Sequence, residues 1–133
     1  MGNFKAYFIL FAIAAFAFTG CKKDNAAPVI SSIQVNGVEN NSGNGLHALG
    51  SDVTFTITAT DEGSLGYYEI TKQTPSLEIL KTGEIEGTSA TFTYTFNIDT
   101  DTYPVGQEIK LLFLVEDARG SSESSLYTIV VDN

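Results

Sequence analysis

The sequence predicts an all-β protein that folds as an antiparallel β-sandwich of about seven strands. From Pro28 to the end of the chain, apolar and polar residues alternate with a period of two, which is typical of strands with one buried face. Segments rich in Gly, Asn, Asp or Pro separate these runs about every 8 to 12 residues, as they do in sandwich proteins. No segment after residue 28 has a helical period long enough to compete.

The predicted strands are residues 29–35, residues 53–59, a short strand marked by Tyr68 and Ile70, residues 77–81, residues 92–98, residues 109–115 and residues 126–131. Residues 53–59 and 92–98 alternate apolar side chains with threonine or asparagine, which predicts half-buried strands. Residues 109–115 carry apolar side chains on both faces and are therefore the predicted central strand. Residues 77–81 carry charges and follow a proline, which favours an edge position. Residues 126–131 are expected to close the sheet.

The N-terminal segment is predicted to be a signal peptide. Lys5 precedes an unbroken apolar run over residues 6–18. A transmembrane helix needs roughly 20 apolar residues, whereas the apolar part of a secretory signal has about 7 to 15. Residues 1–20 are therefore the predicted leader, residues 21–27 a short tether, and residues 28–133 a single domain.

The end of that leader has a recognisable pattern. Residues 18–21 (FTGC) resemble a bacterial lipobox, in the relaxed form found in lipoproteins of the Bacteroidetes. The resemblance implies that Cys21 is lipidated and that the protein is anchored in the outer membrane, since Lys22 rather than Asp follows the cysteine. Residues 22–24 (KKD) resemble, in part, the export signal for the cell surface. An ordinary solvated linker is the alternative, so the resemblance leaves open the cell surface and the periplasmic face.

Charge and cysteine content exclude some classes of function. Without the leader, six basic and sixteen acidic residues remain, a net charge of −10. Nucleic-acid binding needs clustered Lys and Arg and is therefore excluded. The same charge disfavours contact with anionic lipid, so the membrane is expected to be reached only through the N-terminal lipid. Cys21 is the only cysteine, so the domain has no disulfide bond.

Three motifs resemble those of bacterial immunoglobulin-like and cadherin-like surface modules. Residues 59–63 (ATDEG) and residues 115–120 (VEDARG) each combine the end of a strand, an Asp and a turn glycine, and residues 103–106 (YPVG) are similar to the Tyr/Pro/Gly corner of those modules. The resemblance covers residues 28–133 and implies an immunoglobulin-like sandwich. Such domains serve as spacers, adhesins and ligand-binding modules, so the resemblance does not select a function.

An immunoglobulin-like topology would bring four carboxylates together. The turns after the second and sixth strands would emerge at the same end, near the tether, and bring together Asp61, Glu62, Glu116 and Asp117. Carboxylates are suitable ligands for Ca²⁺, the one cofactor that the sequence suggests. The favoured alternative is that each Asp accepts backbone N–H groups in its own turn.

The opposite end is predicted to carry the candidate binding loops. Residues 37–50 form a predicted long loop that contains Leu46, His47 and Leu49. His47 is the only histidine and cannot form a transition-metal site alone. Tyr67 and Tyr103 are the aromatic residues expected to face outward, whereas the other strand aromatics have inward parity.

These observations predict a non-enzymatic protein. The sequence has no Ser-His-Asp set, no cysteine nucleophile and no phosphate-binding glycine loop. The predicted function is that of a lipid-anchored binding or accessory module of the cell envelope, a protein-partner subunit of a surface assembly. The alternative is a glycan-binding or Ca²⁺-dependent adhesive module. An apolar patch near Leu46 and Leu49 would favour a protein partner.

Overall fold

Nine strands form two sheets in the computed structural model, which describes residues 26–133. They are β1 (Val29–Val35), β2 (Val38–Glu39), β3 (Asn44–Ala48), β4 (Asp52–Thr60), β5 (Leu65–Thr74), β6 (Glu78–Glu84), β7 (Ser89–Asn97), β8 (Glu108–Asp117) and β9 (Ser122–Asp132). The predicted all-β class is confirmed. The predicted leader and the lipidation site at Cys21 lie outside the described residues.

The two sheets have the strand order of an immunoglobulin-like sandwich. The four-stranded sheet has the order β2-β1-β4-β7, and the five-stranded sheet has the order β3-β9-β8-β5-β6. The series β1-β4-β7 and β9-β8-β5-β6 correspond to strands A-B-E and G-F-C-C′ of that fold. The apolar strand β8 is central and β6 is an edge strand, as the sequence predicts.

The seven predicted strands correspond to β1 and β4 to β9, and two further strands correct the prediction. Residues 37–50 are not one long loop, because they contain β2 and β3. Asn36 and Gly37, with φ of 51° and 82°, form the tight turn between β1 and β2. Strand β3 pairs in parallel with β9, so the five-stranded sheet is mixed and β9 does not close it.

The core lies between the two sheets and is rich in aromatic rings. Phe55 of β4 contacts Phe113 of β8 and Tyr127 of β9, with ring centroids 5.2 and 5.1 Å apart. Tyr68 stacks on Phe92 at 4.1 Å and joins the sheets at the other side. These inward positions follow from the period-two alternation, since every second side chain of a strand points to the same face.

The outer face of the four-stranded sheet is lined with threonine. Thr54 and Thr95 lie opposite each other with hydroxyl oxygens 3.0 Å apart, and Thr58 and Thr91 do so at 3.1 Å. Cross-strand pairs of this kind stabilise a sheet by about 0.2 to 1 kcal/mol each. The threonine columns are therefore accounted for by strand pairing.

The described chain begins at the end of the sandwich that carries the β4–β5 turn. Ala26 and Ala27 border the same shallow depression as Asp61 and Glu62. Ala26 and Ala27, the last two residues of the predicted tether, therefore lie at this end. No helix within residues 26–133 is long and apolar enough to cross a bilayer.

Candidate functional site

The turns after β4 and β8 meet at one end of the sandwich, as the resemblance implied. The Ala118 N–H donates to the Ser64 carbonyl at 2.8 Å, which joins the two turns. Asp61 and Asp117 line one depression between them, together with Gly63, Ser64, Ala118 and Arg119. The two aspartates are therefore near neighbours.

Asp117 is used within its own turn. Its side chain is buried, and its Oδ1 accepts the N–H groups of Arg119 and Ser121, both at 2.9 Å. Asp61 similarly accepts the Gly63 N–H at 3.1 Å. These bonds support the alternative reading, in which each aspartate stabilises its own turn.

The two glutamates do not complete a calcium site with them. Glu62 is exposed at the turn. Glu116 precedes Asp117 in β8 and so points to the opposite face of the sheet, where it lies across from Tyr67. Among residues 26–133, no group of three or more His, Cys, Asp or Glu side chains could hold a metal ion. The described chain therefore does not assemble the four carboxylates into one site.

Leu46, His47 and Leu49 belong to β3 and its end, and they point in different directions. Leu46 is opposite Val130 of β9 and is 69% exposed on the outer face of the sheet. Leu49 packs against the core. The proposed apolar patch therefore includes Leu46 but not Leu49.

His47 faces the inside of the sandwich. Its Nε2 lies 2.9 Å from the Tyr127 hydroxyl, and burial lowers the pKa of the imidazole below its usual 6.5. Gly45 faces the same way, and a Cβ at Gly45 would clash with the Tyr127 hydroxyl. His47 is thus a structural hydrogen-bonding residue of the rim.

The two tyrosines have different environments. The expectation that Tyr103 faces outward is wrong, because it is only 6% exposed and its ring lies 5.9 Å from that of Phe96. Tyr67 stands half-buried on the outer face of the five-stranded sheet. Its hydroxyl donates to Glu69 Oε2 at 2.9 Å, and this bond to a carboxylate raises the pKa of Tyr67.

Sequence reasoning missed the environment of Lys72. This lysine is buried beside Tyr103. Its ammonium group donates to Glu78 Oε2 at 2.9 Å and to the Tyr103 hydroxyl at 3.3 Å. The bond to Glu78 raises the pKa of the ammonium group against the opposing effect of burial. A register shift between Ile70 and Thr71 breaks the alternation of β5, so the pattern gave no signal for this burial.

An apolar row crosses the outer face of the five-stranded sheet. Leu126 of β9 lies opposite Leu112 of β8, Leu112 opposite Thr71 of β5, and Thr71 opposite Ile79 of β6. Leu126 is 44% exposed and Ile79 is 63% exposed, whereas Thr71 is covered by its neighbours. We call these four residues the outer row.

Carboxylates lie beside the outer row on the same face. Glu69 is opposite Leu114, the next residue after Leu112 on this face of β8. Tyr67 lies between Glu116 of β8 and Glu84 of β6. Lys110, opposite Thr128, lies on the other side of the row. The outer face thus combines exposed aliphatic side chains with a predominantly acidic surround.

A groove separates the open side of β9 from the edge of the other sheet. It is lined by β1 residues 30–33, by residues 39–41 and by β9 residues 123–127, and has a volume of about 250 Å³. Glu123 bridges it at one point, since its Oε2 accepts the Ile30 N–H. We call this feature the β1–β9 groove.

Comparison with known proteins supports the fold only. No protein-family model matches the sequence. No curated protein matches it either. The chain is similar in structure to Spo0M, a sporulation control protein from Bacillus subtilis, with a TM-score of 0.50 and 12% sequence identity. The match covers 81% of this chain and 50% of Spo0M, so the chain spans about half the length of that protein.

Proposed function

We propose that this protein is a lipid-anchored, non-enzymatic module of the outer membrane that binds a protein partner through the outer face of its five-stranded sheet. The observation that carries the proposal is the outer row. Aliphatic side chains at its two ends are 44% and 63% exposed on the outer sheet face. Several exposed apolar side chains on one face of a small domain are typical of interaction sites.

The surroundings of the outer row suggest the character of the partner. Interfaces commonly have an apolar centre and a polar rim. Here the rim includes Glu69, Glu84 and Glu116. Complementary charge steers association and rejects partners with like charge. A partner with an apolar centre and basic residues around it fits this face best.

The proposed anchor is compatible with this use of the sheet. Cys21 would carry the lipid, and five residues separate it from Ala27, where the chain reaches the end of the sandwich that holds Asp61. At about 3.5 Å per residue such a tether reaches about 20 Å. The turn end would then lie towards the bilayer, and the sheet faces would remain accessible from the side.

Glycan binding is the second candidate, and Tyr67 is the observation that favours it. A half-exposed ring with carboxylates nearby can stack on a sugar and accept hydrogen bonds from its hydroxyl groups. The Tyr67 hydroxyl is already bonded to Glu69, so only the ring and the remaining carboxylate oxygens would serve. The outer row offers more contact area, which is why a protein partner is the first candidate.

Crosslinking on intact cells tests the proposal. A tagged copy of the protein is crosslinked at the cell surface, and the captured proteins are identified by mass spectrometry. We expect one specific envelope protein to be captured by the wild type and lost with Ile79→Asp, which places a charge in the outer row. Val38→Asp is the matched control, because Val38 is 70% exposed on the other sheet.

Two results would contradict the proposal. Capture of no protein by a surface-exposed copy would remove the protein-partner function, and glycan binding with and without Ca²⁺ would be measured next. Equal loss of the partner with Val38→Asp and Ile79→Asp would remove the outer row as its binding site.

A further inference from the structure

Half of strand β9 has an unpaired edge. Strand β3 pairs only with the C-terminal part of β9, from Thr128 to Asp132. The Thr128 N–H donates to the Gly43 carbonyl, and the Asp132 carbonyl accepts the Leu49 N–H. The even-numbered residues of β9 therefore direct their backbone N–H and C=O groups away from β8. The same backbone groups of Ser122, Ser124 and Leu126 therefore face an open edge. No strand of residues 26–133 pairs with β9 there.

A tight turn prevents β3 from covering this edge. Asn40 Oδ1 accepts the Gly43 N–H at 3.1 Å, and Gly43 has a φ of +73°. The chain consequently turns away from β9 just before Asn44. The open track along residues 122–126 is about 13 to 16 Å long at the usual rise of a strand, enough for a segment of about five residues.

Strands β6, β7 and β1 carry protection of the kind that edge strands normally have. Strand β6 has Lys81 and Glu84, and the Lys81 ammonium group covers the Thr93 carbonyl of β7 at 3.0 Å. On β1, the Ile30 N–H is occupied by Glu123 and the Ile33 carbonyl by the Asn40 N–H. Charges, prolines and bulges are the usual means of blocking an edge. Along residues 122–126 this edge carries serines and Leu126, and Glu123 is its one charged side chain. The Glu123 carboxylate points into the groove, where it accepts the Ile30 N–H, and no strand among residues 26–133 pairs with the backbone of Ser124 and Leu126 on this side.

The β1–β9 groove gives this edge a defined chemistry. A strand added to β9 would place alternate side chains on the outer face, beside Leu126, and in the groove. In the groove those side chains would meet Ile33 and the carboxylates of Glu39 and Glu123. The free N–H and C=O groups of β9 recur every two residues, which is the spacing that an extended peptide can pair with. The acidic groove favours long cationic side chains at the peptide positions that face it.

We propose that residues 122–126 of β9 and the β1–β9 groove bind an extended segment of a partner protein by strand addition, with Lys or Arg facing the groove and apolar residues beside Leu126. A second copy of this chain is disfavoured as the occupant. Antiparallel pairing of two β9 edges would bring Glu123 and Glu39 of both copies into one groove, and like charges opposite each other are destabilising. The formal charge of −9 on each chain acts in the same direction.

A model peptide tests the proposal on the full chain in detergent micelles. The probe is a heptapeptide that alternates valine with lysine, and its control is the same peptide N-methylated at the amides that would face β9. We expect chemical shift changes in residues 122–126 and 30–33. At a peptide concentration about ten times the dissociation constant, hydrogen exchange of the Ser124 and Leu126 amides should slow about tenfold.

A pair of variants isolates the backbone contact. Ser124→Pro removes one edge-facing N–H and should weaken peptide binding by roughly threefold to tenfold, whereas Ser124→Ala retains that N–H and should bind within about twofold of the wild type. The comparison of the two peptides on the wild type does not depend on whether Ser124→Pro folds.

Several outcomes would overturn the proposal: no binding of the alternating peptide, equal binding of the N-methylated peptide, shift changes elsewhere, or self-association through residues 122–126. The inference rests on the proposed function only in taking the partner to be a protein. A partner captured on cells together with a failed peptide experiment would overturn the groove alone. A bound peptide with no captured partner would overturn the proposed function alone.

Discussion

At the scale of single residues, the buried polar side chains are each tied to a particular neighbour. Lys72 is bonded to Glu78 and Tyr103, and His47 lies within hydrogen-bond distance of Tyr127. Burying a polar group without such a partner costs about 1 to 3 kcal/mol. These residues are therefore explained by stability, and this separates them from the exposed residues proposed to bind a partner.

The stability of the protein should decrease as the pH falls from about 7.5 to 5.5, because of His47. Burial holds its pKa below 6.5 in the folded state, so the unfolded chain takes up the proton first as the pH falls, and folding loses free energy. Above about pH 7 both states are unprotonated and the full stability is present. Urea denaturation at the two pH values measures the decrease.

His47→Gln provides the control for this decrease. Glutamine does not titrate and can still hydrogen-bond the Tyr127 hydroxyl. Since His47 is the only histidine in the chain, the loss of stability in this pH range should be much smaller in the variant. An equal loss in both proteins would show that other groups cause it.

Asp117 should be a structural residue that does not depend on calcium. Asp117→Ala leaves the N–H groups of Arg119 and Ser121 without their acceptor and should lower the free energy of unfolding by about 2 kcal/mol. Asp61→Ala, which removes a single longer bond near the surface, should cost less than about 1 kcal/mol.

Calcium titration of the wild type completes this test. A site with a dissociation constant of about 1 mM would add about 1.4 kcal/mol at about 10 mM Ca²⁺ and would raise the melting temperature by several degrees. We expect a change of less than about 1 °C at that concentration. A clear rise that Asp117→Ala abolishes would restore the calcium site.

At the scale of elements, alternation predicted the strands whose two faces differ strongly. Residues 53–59 alternate fully buried apolar residues with threonine, and β4 spans all of them. Strand β3 has the sequence NGLHA, in which Asn and Gly indicate a loop, and it is held by a parallel partner some 80 residues away. Local patterns contain no information on such a partner.

Candidate residues outside regular strands were predicted less well, for a related reason. Tyr103 lies between β7 and β8 in a segment without alternation, so the sequence did not determine on which side its ring would lie. Of the four carboxylates expected to converge, Asp61 and Asp117 line one depression, which follows from the strand order, whereas Glu116 lies on the opposite face of β8. The β1–β9 groove was not predicted. Which part of the β9 edge is open depends on where its pairing with β3 starts, and the sequence did not predict β3.

Two leucines of β3 and its end should differ in their effect on stability. Leu49→Ala removes a side chain that packs against the core and should cost about 2 kcal/mol. Leu46→Ala should cost less than about 0.5 kcal/mol, because Leu46 is 69% exposed. Urea denaturation of both variants measures the difference. Equal costs would show that residues 46–49 are a loop that does not pack as described.

At the scale of the whole molecule, the net negative charge should lower the stability of the folded state and strengthen association with a basic partner. Residues 21–133 carry six basic and sixteen acidic side chains, a net charge of −10. A domain of this size has a radius of gyration of about 13 Å. The Debye length is about 30 Å at 0.01 M salt and about 10 Å at 0.1 M, so repulsion acts across the whole domain only at low salt. Net charge of this kind destabilises the compact state.

Added sodium chloride should therefore raise the melting temperature at pH 7. If salt screens about 1 kcal/mol of repulsion, the rise between about 0.01 and 0.3 M should be a few degrees. Near the sequence pI of about 4.3 the carboxylates are partly protonated, and the salt effect should largely disappear. Binding of a basic partner should respond in the opposite direction and weaken over the same range of salt, because the attraction is screened. Calorimetry and partner capture at matched salt concentrations measure the two trends. A melting temperature that falls with salt at pH 7 would mean that attractive charge pairs outweigh the net repulsion.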